Sequence, residues 1–157
     1  MSNIEIIQNF YECFSRGDAE GMVRHYSSAV IFHDPAFGEL KGENAKNMWR
    51  MLMERSKGSL KVTFNNVQAD DRTGKVNWIA EYTFAQTGRH VINKISAAFE
   101  FQDGKIIRHT DHFDLWKWSQ QALGWKGYLL GWTSFMKMKI QKQTNGLLKK
   151  YSSKTAA

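Results

Sequence analysis

At Gly58 the spacing of apolar residues changes from a helical period to a strand period, so the chain has helices first and a sheet after them. Upstream, Ser2 and Glu5 form a capping box, and Ile4, Ile7, Phe10, Tyr11 and Phe14 recur at helical spacing until Gly17. Asp18 caps a short second helix with Met22, Val23 and Tyr26 on its apolar side. A strand over Ala29 to Asp34 is ended by Pro35, the one proline, and FGELKG reads as a tight turn or short hairpin. A third helix runs from Glu43 to about Lys57, with Ala45, Met48, Trp49, Leu52 and Met53 as its stripe.

Beyond Gly58, three segments alternate: Leu60, Val62 and Phe64; then Val76, Trp78, Ala80, Tyr82 and Phe84; then Val91, Asn93, Ile95, Ala97, Phe99 and Phe101. The turns DDRTG, QTGRH and QDGK separate them and lead into a fourth strand. Helices followed by a meander predict an α+β domain, with a curved antiparallel sheet wrapped in a cone around three N-terminal helices.

The fourth strand, KIIRHTDHFDL, carries the chemistry. Alternation puts Ile107, His109, Asp111 and Phe113 on one face and Arg108, Thr110, His112 and Asp114 on the other. Two ionisable side chains on an apolar face point to a pocket lined partly by titratable groups. The plainer alternative is the wet end of an ordinary strand.

The strings FHDPAFG and DGKIIRHTDHFDL, in the order helix, helix, strand ending in DP, helix and meander, resemble the superfamily of nuclear transport factor two. This superfamily includes ketosteroid isomerase, limonene epoxide hydrolase and the SnoaL-like polyketide cyclases. The likeness covers roughly residues 3 to 115. It implies a cone fold that commonly pairs into homodimers, and the superfamily holds isomerases, hydrolases, cyclases and proteins without chemistry. By this resemblance Asp34 takes the place of the isomerases' proton-shuttling carboxylate, a worked case of tuned carboxyl groups. Phe10 stands where their oxyanion-hole tyrosine would be, and Ala97 where their protonated aspartate would be. Against the epoxide hydrolases, Asp111 keeps one of two water-flanking aspartates. Trp78 and Ala80 replace the expected Arg and Asp, while Phe32 and Asp34 stand for the Tyr and Asn.

The expected site is therefore Asp34, His109 and Asp111 as acid–base residues. Phe10, Phe32, Trp49, Trp78, Tyr82, Asn93, Ile95, Ala97, Phe99 and Phe113 line the cone around a small, flat hydrophobic molecule. Core packing is the plain reading of the aromatics, and a turn cap that of Asp34. No metal and no other cofactor is expected: His33 and Asp34 face opposite ways, as do Asp111 and His112, and one histidine with two carboxylates is not a diagnostic ligand set. A non-catalytic module binding a ligand or a protein through the same cone is the alternative function.

Charge divides the chain at residue 115. Residues 116–157 hold eight lysines and no Asp, Glu or Arg, hence +8, whereas residues 1–115 carry −1; four of the six tryptophans are also in the tail. A cone domain over residues 1–115 is thus followed by a basic, Trp-rich extension over 116–157, which Gly124, Gly127 and Gly131 punctuate into short helices. From Thr133, Met136, Ile140, Leu147 and Tyr151 form an apolar stripe. Packing of this extension on the cone or on a partner subunit is the first expectation, contact with an anionic membrane surface the second. Nucleic acid is not an expected partner, since no binding motif is present and lysine without arginine reads bases poorly. The lone Cys13 reads as a small buried residue. No secretory signal or membrane span is legible, which with the single cysteine suggests a cytoplasmic protein.

Overall fold

The computed structural model describes residues 1–56 and 58–156. Helix α1 (Asn3–Ser15) begins with the capping box: Glu5 N–H donates to Ser2 Oγ at 3.2 Å and Ser2 N–H to the Glu5 carboxylate at 2.6 Å. Ile6, Phe10 and Cys13 move the centre of its buried face away from Ile4, which stays exposed. Helix α2 (Ala19–Val23) is capped by Asp18, whose Oδ1 accepts from Gly21 N–H at 2.8 Å.

Tyr26 does not belong to α2. It is the first residue of β1 (Tyr26–Asp34), which starts three residues earlier than the alternation predicts. The pairing of β1 with its neighbour slips between Tyr26 and Ile31, and this bulge lets Ser28 and Ala29 face solvent while Tyr26 and Val30 are both buried. After Pro35 the chain turns into β2 (Gly38–Lys41), an antiparallel hairpin with β1. Helix α3 (Glu43–Ser56) buries Ala45, Met48, Trp49 and Met51, with Leu52 and Met53 half-buried; the expected helix end at Lys57 lies outside the described residues.

Strands β3 (Lys61–Ala69), β4 (Thr73–Phe84), β5 (Arg89–Gln102) and β6 (Lys105–His112) complete a six-stranded sheet in the order β2-β1-β6-β5-β4-β3. It is antiparallel except at one seam, where β1 runs parallel to β6. Along β5, Val91, Asn93, Ile95, Ala97, Phe99 and Phe101 are buried in strict alternation, as expected of a half-buried strand. β6 departs from its expected pattern. Phe101 pairs with Ile106 and Glu100 with Arg108, so Ile107 is an extra residue in a bulge, and Ile106 rather than Ile107 enters the core.

The extension forms α4 (Leu115–Leu123), α5 (Trp125–Leu130) and α6 (Ser134–Thr155). Gly124, at φ +68°, breaks the chain between α4 and α5. Gly127 breaks nothing. It lies inside α5, where a Cβ would overlap the Ser119 carbonyl, so it sets the close approach of α5 to α4. Helix α6 lies along α3 and over the turn after β1. Gln141 Nε2 donates to Pro35 O at 3.1 Å, Thr144 Oγ1 to Ala36 O at 2.7 Å and Asn145 Nδ2 to Phe37 O at 2.8 Å.

Candidate acid–base site

His109 lies in the middle of β6, fully buried, and its ring is enclosed by aromatic side chains. Centroids of Phe99, Phe32, Phe10 and Trp49 lie 4.3, 5.1, 5.6 and 5.9 Å away, with Trp49 stacked nearly parallel at 14°. A polar ring survives such surroundings only if both nitrogens are satisfied. They are: Nδ1 is 2.7 Å from Tyr26 Oη and Nε2 is 3.0 Å from Asp111 Oδ1. Tyr26 Oη also accepts from Trp49 Nε1 at 2.8 Å, and Asp111 Oδ1 from Trp78 Nε1 at 3.3 Å.

Donor counting assigns the protons along this chain. Trp49 can only donate to Tyr26, so the phenol proton goes to His109 Nδ1, which is then an acceptor. Nε2 carries the imidazole proton and gives it to the Asp111 carboxylate. An Nε2–H donor with Nδ1 as acceptor partners every member, and the run Trp49, Tyr26, His109, Asp111 is directed toward the carboxylate.

Asp34 continues the same inner face. Phe32 and His33 of β1 pair with His109 and Thr110 of β6, so the next residues along these parallel strands are Asp34 and Asp111. Asp34 Oδ1 accepts from Ala36 N–H at 2.9 Å and Phe37 N–H at 2.6 Å, which makes it a turn cap beside Pro35. Burial pushes its carboxyl up to about 7, reinforced by the Asp111 charge and opposed by those two backbone donors. Across the face, the Tyr82 hydroxyl accepts from Trp118 Nε1 of α4 at 2.7 Å. Burial raises the Tyr82 pKa, the Trp118 hydrogen bond opposes this and the Asp34 charge adds to it.

The structure brings Asp34, His109 and Asp111 onto one face, all three buried. The expected lining divides. Phe10, Phe32, Trp49 and Phe99 pack on His109 as core, whereas Ala97 faces Asp111 across the β5–β6 pair and Asn93 and Tyr82 lie toward the α4 end of the sheet. Phe113 follows β6 and is half-buried. His33 and His112 are exposed, and among the described residues no three His, Cys, Asp or Glu side chains are grouped to hold a metal ion.

Two hydroxyls have no signature in the sequence. Tyr26 is concealed by its spacing from Met22 and Val23, which extends a helical stripe. Tyr11, on α1, is fully buried among the rings of Phe64, Trp78, Phe14 and Phe99, and its hydroxyl has no hydrogen-bond partner among the described residues. Burial pushes its pKa well above the ordinary value, and the Asp111 charge adds to this. No pattern distinguishes it from the other aromatics of α1.

Solved structures share this architecture. Bal32a from a soil-derived mobile gene cassette is 21% identical with a TM-score of 0.65, over 76% of this chain and 95% of that one. TerC, co-crystallised with polyporic acid, is 21% identical at a TM-score of 0.61, over 71% and 91%. An LEH-like epoxide hydrolase of M. tuberculosis is 17% identical at 0.59, over 80% and 91%. At these identities the likeness concerns the fold. No curated protein matches the chain. The SnoaL-like domain matches residues 7–109, from the second turn of α1 to His109, and the chain belongs to the SnoaL-like domain family.

Proposed function

We propose that the chain binds a small apolar molecule at the mouth of the cone and moves a proton on it, with Asp34 as the exchanging acid or base and Asp111 as a fixed carboxylate. The observation that carries this reading is the asymmetry of two adjacent buried carboxyls. Asp111 is held by side-chain donors from His109 and Trp78, while Asp34 is held by the backbone N–H groups of Ala36 and Phe37 and its carboxyl is pushed up to about 7. A carboxyl poised near neutrality can accept and return a proton in one turnover. Tyr82 and Asn93 would orient the ligand's polar end. A small, planar, enolisable carbonyl compound suits the arrangement, which supports isomerase-, cyclase- or hydrolase-type acid–base chemistry.

The ring packing around His109 favours a second reading, a binding module without chemistry, because it leaves the closed end of the cone filled. Two measurements separate the readings. Binding is read from quenching of tryptophan emission by polyporic acid, the compound with which TerC was co-crystallised. Proton transfer is read by NMR as deuterium incorporation into β-tetralone in heavy water. The catalytic reading expects accelerated exchange that is lost in Asp34→Asn with quenching retained. Quenching without any exchange leaves the binding module, and neither signal removes the ligand site.

A further inference from the structure

Helix α5 and the segment after it turn a large apolar face to solvent. On α5, Gly127 and Gly131 point inward against Ser119 of α4. The spacing i, i+3, i+4 therefore puts Trp125, Tyr128 and Leu129 together on the opposite side, and Trp132 follows in the turn after the helix. Trp125 and Trp132 are each 70% exposed, and Tyr128, Leu129 and Leu130 are exposed with them. The same spacing recurs in the first turns of α6 as Phe135, Met138, Lys139 and Lys142, with Phe135 72% and Met138 69% exposed while Met136 and Ile140 face inward. Of the four tail tryptophans, Trp118 is anchored on the cone, through Tyr82 and Phe84. Packing on the cone thus accounts for Trp118 and leaves Trp125 and Trp132 uncovered.

The face is also held in position. Trp116 Nε1 donates to Tyr128 O at 3.0 Å and Trp132 Nε1 to Leu129 O at 2.9 Å, and Lys126 Nζ lies 5.8 Å from the Trp125 ring centre. Thr87 and Arg89 tie α4 to the β4–β5 turn through Ala122 O and Gln121 O. The apolar side chains are thus presented on a braced helical hairpin.

We propose that this face docks the protein on an anionic lipid bilayer. Trp125, Tyr128, Leu129, Trp132, Phe135 and Met138 enter the boundary between headgroups and acyl chains, and the lysines beside them, Lys126, Lys139 and Lys142, meet the lipid phosphates. Charge chooses the occupant. With eight lysines and no acidic residue in the extension, a second copy of the same face would bring like charges together, whereas an anionic surface complements them. Aliphatic Leu129, Leu130 and Met138 suit acyl chains and offer nothing to a nucleic acid. Among the described residues no helix is long and apolar enough to cross a membrane, so the contact is interfacial, with tryptophan and lysine in the positions they favour there. Membrane docking does not depend on whether Asp34 performs chemistry.

The test uses the full chain, sedimented with vesicles of phosphatidylcholine alone or mixed with phosphatidylserine, at low and at raised salt. Binding is expected only with phosphatidylserine and is weakened by salt, which screens charges beyond about 10 Å at 0.1 M. The double variant Trp125→Glu with Leu129→Glu is expected to lose about tenfold or more in affinity, the scale of removing large apolar side chains from a buried position. A second variant, Lys126→Glu with Lys139→Glu, keeps the apolar face and is expected to lose phosphatidylserine dependence. Both changes are at exposed positions, and unchanged thermal melting confirms folding. Absence of sedimentation at low salt overturns the proposal. So does binding that survives in both variants. A dimer that light scattering detects in the wild type and not in Trp125→Glu with Leu129→Glu would assign the face to a second copy instead.

Discussion

The Tyr26 hydroxyl and His109 Nδ1, 83 residues apart in sequence, meet at 2.7 Å where the parallel seam joins β1 to β6. This contact fixes the imidazole tautomer that faces Asp111. Replacing Tyr26 with Phe removes the acceptor of Trp49 Nε1 and the donor to Nδ1 together, inside a wall that water does not reach. A buried polar group left unpaired costs about 1–3 kcal/mol, so Tyr26→Phe is expected to destabilise the fold by roughly 2 kcal/mol or more. Urea denaturation measures the loss, and nitrogen chemical shifts of His109 report whether Nε2–H remains the sole tautomer. A loss below about 0.5 kcal/mol, within the range of an ordinary surface substitution, would deny the hydroxyl this role.

Period alone makes most of this site legible. Alternation sets Asp111 and His109 on one face of β6, and β5 obeys it from Val91 to Phe101 because one face packs and the other is wet. It fails at bulges, which add a residue without changing composition: Ile107 is displaced by one, and Ser28, which alternation with Tyr26 and Val30 would turn inward, faces solvent where β1 slips before Ile31. Asp34 is placed by the adjacent proline and by resemblance, but whether it caps the turn or faces the cone is not legible. It does both, with Oδ1 on the turn and its carboxyl charge sensing Asp111. The tail is hardest. Lysine content marks it, yet the inward and outward faces of α5 depend on Gly127 meeting Ser119, a tertiary contact with no sequence period.

Tyr11 yields the opposite expectation to Tyr26. Its hydroxyl is buried without a partner among the described residues, so Tyr11→Phe removes an uncompensated polar group and keeps the ring among Phe14, Phe64, Trp78 and Phe99. The variant is expected to be as stable as the wild type or more so, by up to about 1–3 kcal/mol. If it instead weakens quenching by polyporic acid at unchanged stability, Tyr11 serves the ligand.

Asp34 predicts a pH dependence of stability. Its carboxyl is raised from 3.8 to about 7 by burial, so the folded protein holds this proton where the unfolded chain has released it. Stability is therefore full below the unfolded value near 4, falls as pH rises to the folded value near 7, and is flat for this group above it. At about 1.4 kcal/mol per pKa unit the loss is capped at roughly 4 kcal/mol. Asp34→Asn keeps an oxygen to accept from Ala36 and Phe37. It is expected to match the wild type at pH 4, exceed it at pH 8 and flatten the profile between. Parallel profiles for the two proteins from pH 4 to 8 would place the Asp34 carboxyl in water.

Two glycines of the extension should respond in opposite directions to the same added methyl. At Gly127 a Cβ would overlap the Ser119 carbonyl, which is backbone and has no side-chain rotation to escape by. Gly127→Ala must therefore separate α5 from α4, and with it shift the exposed face that carries Trp125 and Trp132. Gly146 lies within α6, where an added methyl would meet nothing within 4 Å. Gly146→Ala is expected to stabilise by roughly 0.5–1 kcal/mol through the helix preference of alanine over glycine. Thermal melting of both variants checks the contrast, and vesicle sedimentation of Gly127→Ala adds a second reading. If the hairpin presents the docking face, lipid affinity drops in Gly127→Ala and stays at the wild-type level in Gly146→Ala. A Gly127→Ala protein that melts and binds like the wild type would mean that the α4–α5 contact neither holds the extension together nor orients its tryptophans.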